Sequence, residues 1–269
     1  MEIRPFAFDD VPAFLALAAA EGWISDPWEF AFLLGSFPRG CLAVEEEGRS
    51  VAFVTAIRYG MSGWIGNLIV TKRARGRGYG TLLMGRAMDE LLDDGVRTVW
   101  LTASAQGRPL YGKMGFREID QVVRWSGIGR EGESEGGGSL SFEEMIAMDQ
   151  AGWGDDRKAL LAATVSRGSL LCETDGFLVV QRCGCRFQFG PWSCGGRGDA
   201  SILLDRGIRV TGEGNPVFVD VPARNGDAAT LLAASGFSVT GATSLMFAGE
   251  APAYDSSRIF ALASMGGMG

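Results

Sequence analysis

Histidine is absent from this 269-residue chain, which removes the commonest general base and the commonest metal ligand before any motif is considered. Catalytic chemistry would fall to tyrosine, cysteine, serine, carboxylates, backbone amides or water. Cysteine is scarce and odd in number: Cys41, Cys172, Cys183, Cys185 and Cys194, clustered late, unlike a secreted disulfide framework. Cys183-Gly-Cys185 with Cys194 raises a zinc site. Structural zinc wants four ligands with Cys-x-x-Cys or Cys/His pairing, however, and none is present, so no metal is expected. No apolar run is long enough for a membrane: Phe14 to Ala20 falls far short of the roughly 20 residues required. Met1-Glu2-Ile3-Arg4-Pro5 lacks the charged-then-apolar pattern of a signal peptide, so a cytoplasmic location is expected. Positive charge is also short. A net charge of −7 disfavours nucleic acid or an anionic membrane as the main partner.

What is present is globular. Hydrophobic residues at 46% and charged residues at 21% support a buried core, and the length suits one large domain or two ordinary ones. Gly127 to Leu140 is dominated by Gly, Ser and Glu and reads as a flexible linker. It divides the chain into 1–126, 127–140 and 141–269.

In the first part, Ile3–Phe6 reads as a strand, and Asp9 or Asp10 precedes a helix with Val11, Phe14, Leu15 and Ala18 on one face. A helix follows from Pro27 to Leu34. Cys41–Glu45, Val51–Tyr59 and Trp64–Val70 read as strands. Then come a helix over Thr81–Leu92, a strand over Val96–Ala103, a short helix over Leu110–Met114 and a strand over Phe116–Trp125. The fold class is α/β with a mixed sheet. The second part repeats the plan. Asp220 to Asn225 followed by Leu231 to Phe237 parallels Leu101 to Gln106 followed by Leu110 to Phe116, and Arg197 to Leu204 can be laid on Arg77 to Met84. The parallel suggests internal duplication, although any α/β chain offers some match of this kind.

The most informative segment is Val70-Thr-Lys72-Arg73-Ala-Arg75-Gly76-Arg77-Gly78-Tyr79-Gly80-Thr81. Alternate glycines permit positive φ and leave backbone N–H groups bare. The turn opens a helix, whose first amides are unpaired and whose dipole favours an anion. The result suits a pyrophosphate, with four basic side chains as counter-charge in an otherwise acidic chain. A P-loop is excluded because Gly80 is followed by Thr81 and Leu82. The dinucleotide fingerprint is excluded because only one residue separates Gly78 from Gly80.

Arg75-Gly-Arg-Gly78-Tyr-Gly80 after an apolar strand resembles the Arg/Gln-x-x-Gly-x-Gly/Ala signature of the GNAT superfamily of N-acetyltransferases. Leu110-Tyr111-Gly-Lys113-Met-Gly115-Phe116 is similar to that family's Leu-Tyr-x-Lys-x-Gly-Phe element. The strong resemblance covers residues 1–126. More loosely, Gly190-Pro191-Trp192 and Asp220 to Asn225 make the whole chain look like a two-domain subgroup with a second, degenerate GNAT-like domain.

The resemblance implies an acetyl-CoA-dependent N-acetyltransferase acting on a small-molecule or exposed protein amine. Acetyl-CoA would lie along Leu68, Ile69 and Val70 as an added strand, with its diphosphate on Arg75, Gly76, Arg77, Gly78, Tyr79, Gly80 and Thr81. Tyr111 matches the tyrosine that the family places beside the thioester sulfur, where a protonated phenol can donate to the departing thiolate. The general base is open. The strand Trp64 to Val70 lacks the carboxylate many members carry there; Asn67 is no base, though it could hold a water at the substrate site. Glu21, Asp26 and Glu29 are candidates, Trp23, Trp28 and Phe30 could line an acceptor pocket or be core, and Ser104 could position substrate. The missing strand carboxylate leaves a non-catalytic CoA-binding sensor or scaffold as the alternative. In the second half, Leu232 replaces Tyr111, Ala234 replaces Lys113, and Asp199 would repel phosphate. That half is expected to complete the acceptor pocket or to stabilise the first. Nothing indicates an oligomer.

Overall fold

The computed structural model describes residues 1–132 and 136–269. The first half runs β1 (Glu2–Pro5), α1 (Val11–Ala20), α2 (Pro27–Ser36), β2 (Leu42–Glu46), β3 (Arg49–Arg58), β4 (Ser62–Val70), α3 (Tyr79–Asp93), β5 (Thr98–Ala103), α4 (Arg108–Lys113) and β6 (Arg117–Ile128). The second runs α5 (Phe142–Trp153), α6 (Lys158–Arg167), β7 (Ser169–Glu173), β8 (Gly176–Cys183), β9 (Arg186–Cys194), α7 (Arg197–Val210), β10 (Pro216–Pro222), α8 (Gly226–Ala234), β11 (Ser238–Gly249) and β12 (Ile259–Ala261).

Local chemistry accounts for several boundaries. Glu47 and Gly48 both take positive φ, the geometry of a tight turn that matches strand twist, and they close the β2–β3 hairpin. Asp26 caps α2 through Oδ1, which accepts from the Trp28 amide at 2.8 Å. Asp10, read as a cap for α1, instead accepts two hydrogen bonds from Arg4 at 2.7 and 2.8 Å and one from the Ala7 amide; an ionic partner outcompetes the helix end. Ser141 and Glu144 form a capping box at the start of α5. In α3, Leu83, Ala87 and Leu91 recur every fourth residue and are fully buried, so one stripe packs against the sheet.

All the strands belong to one sheet, in the order β1-β2-β3-β4-β5-β11-β6-β10-β9-β8-β7, with β12 beside β9. Each half contributes a strand–helix–parallel strand unit: β4–α3–β5 and β9–α7–β10. The halves then exchange their last long strands. β11 lies between β5 and β6, while β6 pairs with both β11 and β10. β6 therefore runs three residues beyond Trp125, and Gly127 and Ile128 pair with Val217 and Pro216. The stretch read as a flexible linker is anchored at its flanks. The Gly129 amide donates to Asn215 O at 2.8 Å, and Gly138 donates to Cys172 O at 2.9 Å. A glycine-rich composition cannot bury apolar area, but its backbone still pairs with a neighbouring edge. Residues 133–135 of that stretch lie outside the described residues.

The aromatic core also crosses the halves. Phe14 meets Phe30 at 4.6 Å between α1 and α2, and Trp153 of α5 stacks edge-on against Trp64 and Trp100 at 6.2 and 5.7 Å. Behind Trp153, Arg157 and Asp149 form a fully buried bidentate pair at 2.7 and 2.9 Å. After β12 the chain returns to the first half. The Asn67 amide donates to Gly266 O at 3.2 Å, the Thr102 hydroxyl to Met265 O at 2.5 Å and the Tyr59 hydroxyl to Met268 O at 2.5 Å. This approach leaves no room for a Cβ at Gly66.

Candidate functional site

β4 and β5 pair in parallel only from Ser62–Trp64 to Thr98–Trp100 and then diverge. In the same stretch β4 bulges. Its register against β3 slips between Ile69 and Gly66, and Asn67 takes φ of 55°, an uncommon conformation for a residue other than glycine. Divergence and bulge open a cavity of about 670 Å³ that reaches the expected phosphate turn at one end and the second half at the other.

At the first end, Arg75 and Gly80 line the cavity together with Leu68, Ile69 and Val70. Gly76 and Gly78 take φ of 78° and 84°, and Gly78 caps α3 in the left-handed region, which is why these positions suit glycine. Among the described residues, the N–H groups of Arg75 to Thr81 donate to no protein acceptor. They lie at an exposed helix start, the geometry that receives an anion. The side chains are arranged less simply than expected. Tyr79 is buried in the core, with its hydroxyl bonded to Glu46, so only its amide faces the turn. Arg77 pairs with Glu46 at 2.7 Å. Arg75 pairs with Glu21 at 2.7 Å and donates to Val70 O at 3.1 Å, which engages a carbonyl expected for strand-like pairing. Lys72 and Arg73 are exposed and outside the cavity lining.

The corresponding turn before α7 is closed. Asp199 Oδ2 accepts from the Asp175 amide at 2.7 Å, the Gly195 amide donates to Asp175 O, and the Asp175 carboxylate crowds Gly195. Two carboxylates thus lie beside this turn, a charge that disfavours an anion there.

Midway along the cavity, α4 presents Tyr111, whose ring meets Phe116 edge-on at 6.1 Å. Burial pushes its phenol up to about 12, so it stays protonated at neutral pH. Ser104 also lines the cavity, but its oxygens are engaged by the start of α4, accepting from the Gly107 amide.

Opposite the bulge lies Glu29 of α2. It is buried, and its carboxylate accepts from Asn67 Nδ2 at 2.7 Å and from Ser264 Oγ at 3.0 Å. Asn67 Nδ2 also reaches the Thr55 hydroxyl at 3.1 Å. Burial raises the Glu29 pKa above the usual carboxylate range, against the lowering effect of those two hydrogen bonds. α2 thus places a buried carboxylate against β4, a strand that has none of its own. Of the other two acids considered, Glu21 is engaged by Arg75, and Asp26 caps α2 and meets Arg167 at 3.4 Å. Trp28 is stacked on Phe32 and covered by Arg167 at 4.3 Å, while Trp23 stands 42% exposed at the mouth.

The cavity therefore brings together Trp23, Trp28, Glu29, Asn67, Leu68, Ile69, Val70, Arg75, Gly80, Ser104 and Tyr111. Gly76, Arg77, Gly78, Tyr79 and Thr81 form the turn beside it. Sequence reasoning missed Ser264, Arg124, Gln188 and Thr243, which line the same space from far along the chain. No motif marks them; only the strand exchange and the returning C-terminal segment bring them in. No cluster of three or more metal-type ligands exists among the described residues, and no helix among them is long and apolar enough to cross a membrane.

Comparison with known proteins agrees with this geometry. The profile of the acetyltransferase (GNAT) family matches residues 12–116, and that of an acetyltransferase (GNAT) domain matches residues 145–261. A [ribosomal protein bS18]-alanine N-acetyltransferase of Haemophilus influenzae is 30% identical over 98 residues, spanning 35% of this chain and 67% of that protein. The fold matches a candidate acetyltransferase structure from Pyrococcus horikoshii with a TM-score of 0.86 at 24% identity, over 100% of this chain and 95% of that one. A GCN5-related N-acetyltransferase from Sphaerobacter thermophilus follows with a TM-score of 0.65 at 17% identity, covering 97% and 98% of the two chains. The chain is a two-domain member of the GNAT family and an N-acetyltransferase.

Proposed function

We propose that this protein transfers the acetyl group of acetyl-CoA directly to a small primary amine, with Glu29 as general base and Tyr111 as general acid. One observation carries the reading: a single cavity is lined by Arg75 and Gly80 of the turn, by Tyr111 and by Glu29. Its far wall is formed by the second half, so the acceptor amine must enter an enclosed space. That favours a small molecule, or a narrow chain terminus, over a protein surface.

The residues fit acetyl-CoA. The amides of Arg75 to Thr81 and the Arg75 guanidinium would hold its diphosphate, and β4 around Leu68 and Ile69 would take its amide-bearing arm, Val70 O being engaged by Arg75. Acetyl-CoA supplies the activated thioester; the chain's own groups manage the protons. Glu29, lifted by burial toward neutral pH, accepts a proton from the acceptor nitrogen as the N–C bond forms. Asn67 and Ser264 fix the carboxylate through hydrogen bonds. Tyr111 gives its proton to sulfur as the C–S bond breaks, and solvent then restores the phenol. The Asn67 amide is taken by Gly266 O, so a carbonyl oxygen in the gap would rely on the β4 backbone beyond it, from Leu68 onward.

The test is thiol release from acetyl-CoA across a panel of primary amines, with mass spectrometry of the acetylated product. Amine-dependent thiol release and a product heavier by one acetyl group are expected. Release no faster than hydrolysis with every amine would overturn the proposal.

A further inference from the structure

The far wall of the cavity has a chemistry of its own. Strand register places Gln181 of β8 opposite Gln188 of β9, and Gln188 beside Phe218 of β10. Arg124 of β6 lies over the Phe218 ring at 4.7 Å, and Thr243 of β11 completes the row. Five adjacent strands thus send side chains to one cavity face.

Several of these polar groups lack protein partners. Gln188 is 8% exposed, and among the described residues its carboxamide makes no hydrogen bond. The Thr243 hydroxyl is buried without a partner. Arg124 gives Nε and Nη2 to the fully buried Asp220, both at 2.7 Å, and keeps Nη1 for the cavity. An unpaired polar group in a closed space is destabilising unless something enters to satisfy it.

Charge is also divided across the cavity. The acids that line it, Glu21, Asp26 and Glu29, all come from the α1–α2 region. Among the described residues, the opposite side carries Arg124, Arg167 and Arg182 and no lining carboxylate. Arg167 meets Asp26 and Arg182 is exposed, whereas Arg124 is part-buried and held in a fixed orientation by Asp220 from behind.

We infer that the acceptor is an amine that also bears a carboxylate, an amino-acid-like molecule. Its nitrogen faces Glu29, and its carboxylate meets Arg124 Nη1, Gln188 and Thr243. This rests on the acetyl-transfer reading and narrows it: a decarboxylated amine or a polyamine would leave those donors unpaired or face arginine.

The experiment compares matched acceptors, amino acids against the same amines without the carboxylate and against their carboxamides, at saturating acetyl-CoA. The free acids are expected to show at least ~10-fold higher kcat/KM, mostly through KM, the size of a lost hydrogen bond to a charged group. Gln188→Leu should shrink the preference for the acids over the decarboxylated amines, read as the ratio of their kcat/KM values, by about 10-fold. Arg124→Lys, which keeps a cation for Asp220 but withdraws the planar fork, should do the same. Equal or inverted preference in the unaltered enzyme would overturn the inference while leaving acetyl transfer intact. Absence of transfer to any amine would instead sink the function itself. Calorimetry of N-acetyl amino acids against their methylamides then decides the inference alone: tighter binding of the acids supports it, and equal binding refutes it.

Discussion

Replacing Glu29 by glutamine is the sharpest perturbation of the proposed chemistry, because it removes the base and almost nothing else. The glutamine carbonyl can still accept from Asn67 Nδ2, and its NH₂ can donate to a rotated Ser264 hydroxyl, so the contacts at 2.7 and 3.0 Å survive in kind. General bases contribute about 10²–10⁴-fold, or roughly 2.7–5.4 kcal/mol at about 1.36 kcal/mol per decade. A fall in kcat of that size is expected, with the KM for acetyl-CoA unchanged. The pH sign follows from burial. A base with a raised pKa is protonated and idle at low pH, so kcat rises with pH through a limb above the ordinary carboxylate range, and E29Q loses that limb. Stability moves oppositely. Between the unfolded and folded pKa values the folded chain binds more protons, so the unaltered protein loses stability as pH rises through that window, and E29Q does not. E29Q should therefore melt no lower than the parent at neutral pH. Stopped-flow thiol detection across pH, with thermal melting of both proteins, makes the test. A variant that keeps more than about a third of kcat and the same acid limb refutes Glu29 as base.

Tyr111→Phe should lower kcat by about 10-fold or more while CoA affinity, read by calorimetry, stays within error. With the Tyr111 pKa near 12, the unaltered enzyme should show no alkaline decline in kcat from this group below about pH 11. Gly78→Ala forces a Cβ onto φ of 84° with open space around it. It should therefore cost about 1–2 kcal/mol through backbone strain alone, seen in urea melts, together with weaker CoA binding. Asp149→Ala leaves Arg157 buried without its counter-ion and should destabilise the fold by about 3–5 kcal/mol, read as a lowered urea midpoint.

The local half of this architecture was legible. The four-residue spacing of Leu83, Ala87 and Leu91, the glycines at 76 and 78 and the Leu110–Phe116 segment are short-range signals, and the structure places each in the expected kind of element. Glu29 was within reach as one of three acids on the early helices. Choosing among them required seeing Glu21 taken by Arg75 and Asp26 by the helix cap. The rest was hidden because it is non-local. Nothing in residues 238–249 announces that they will lie between β5 and β6, and nothing in Ser264 announces a bond to a residue more than two hundred positions earlier. Strand exchange is decided by the burial of both long strands together, a property that no window of sequence carries. The misassigned start of the linker has the same origin: Gly127 looks like a loop residue until its edge partner Val217 is present.

The central claim is that bare amides at the start of α3 grip a diphosphate, and the most direct measurement compares acetyl-CoA with acetyl-pantetheine, which lacks the diphosphate, by calorimetry at low salt. Two charge-assisted hydrogen bonds at about 1.5–3 kcal/mol each predict at least ~100-fold tighter binding of acetyl-CoA. Equal affinity for the two, or no heat with acetyl-CoA at millimolar concentration, would contradict the account.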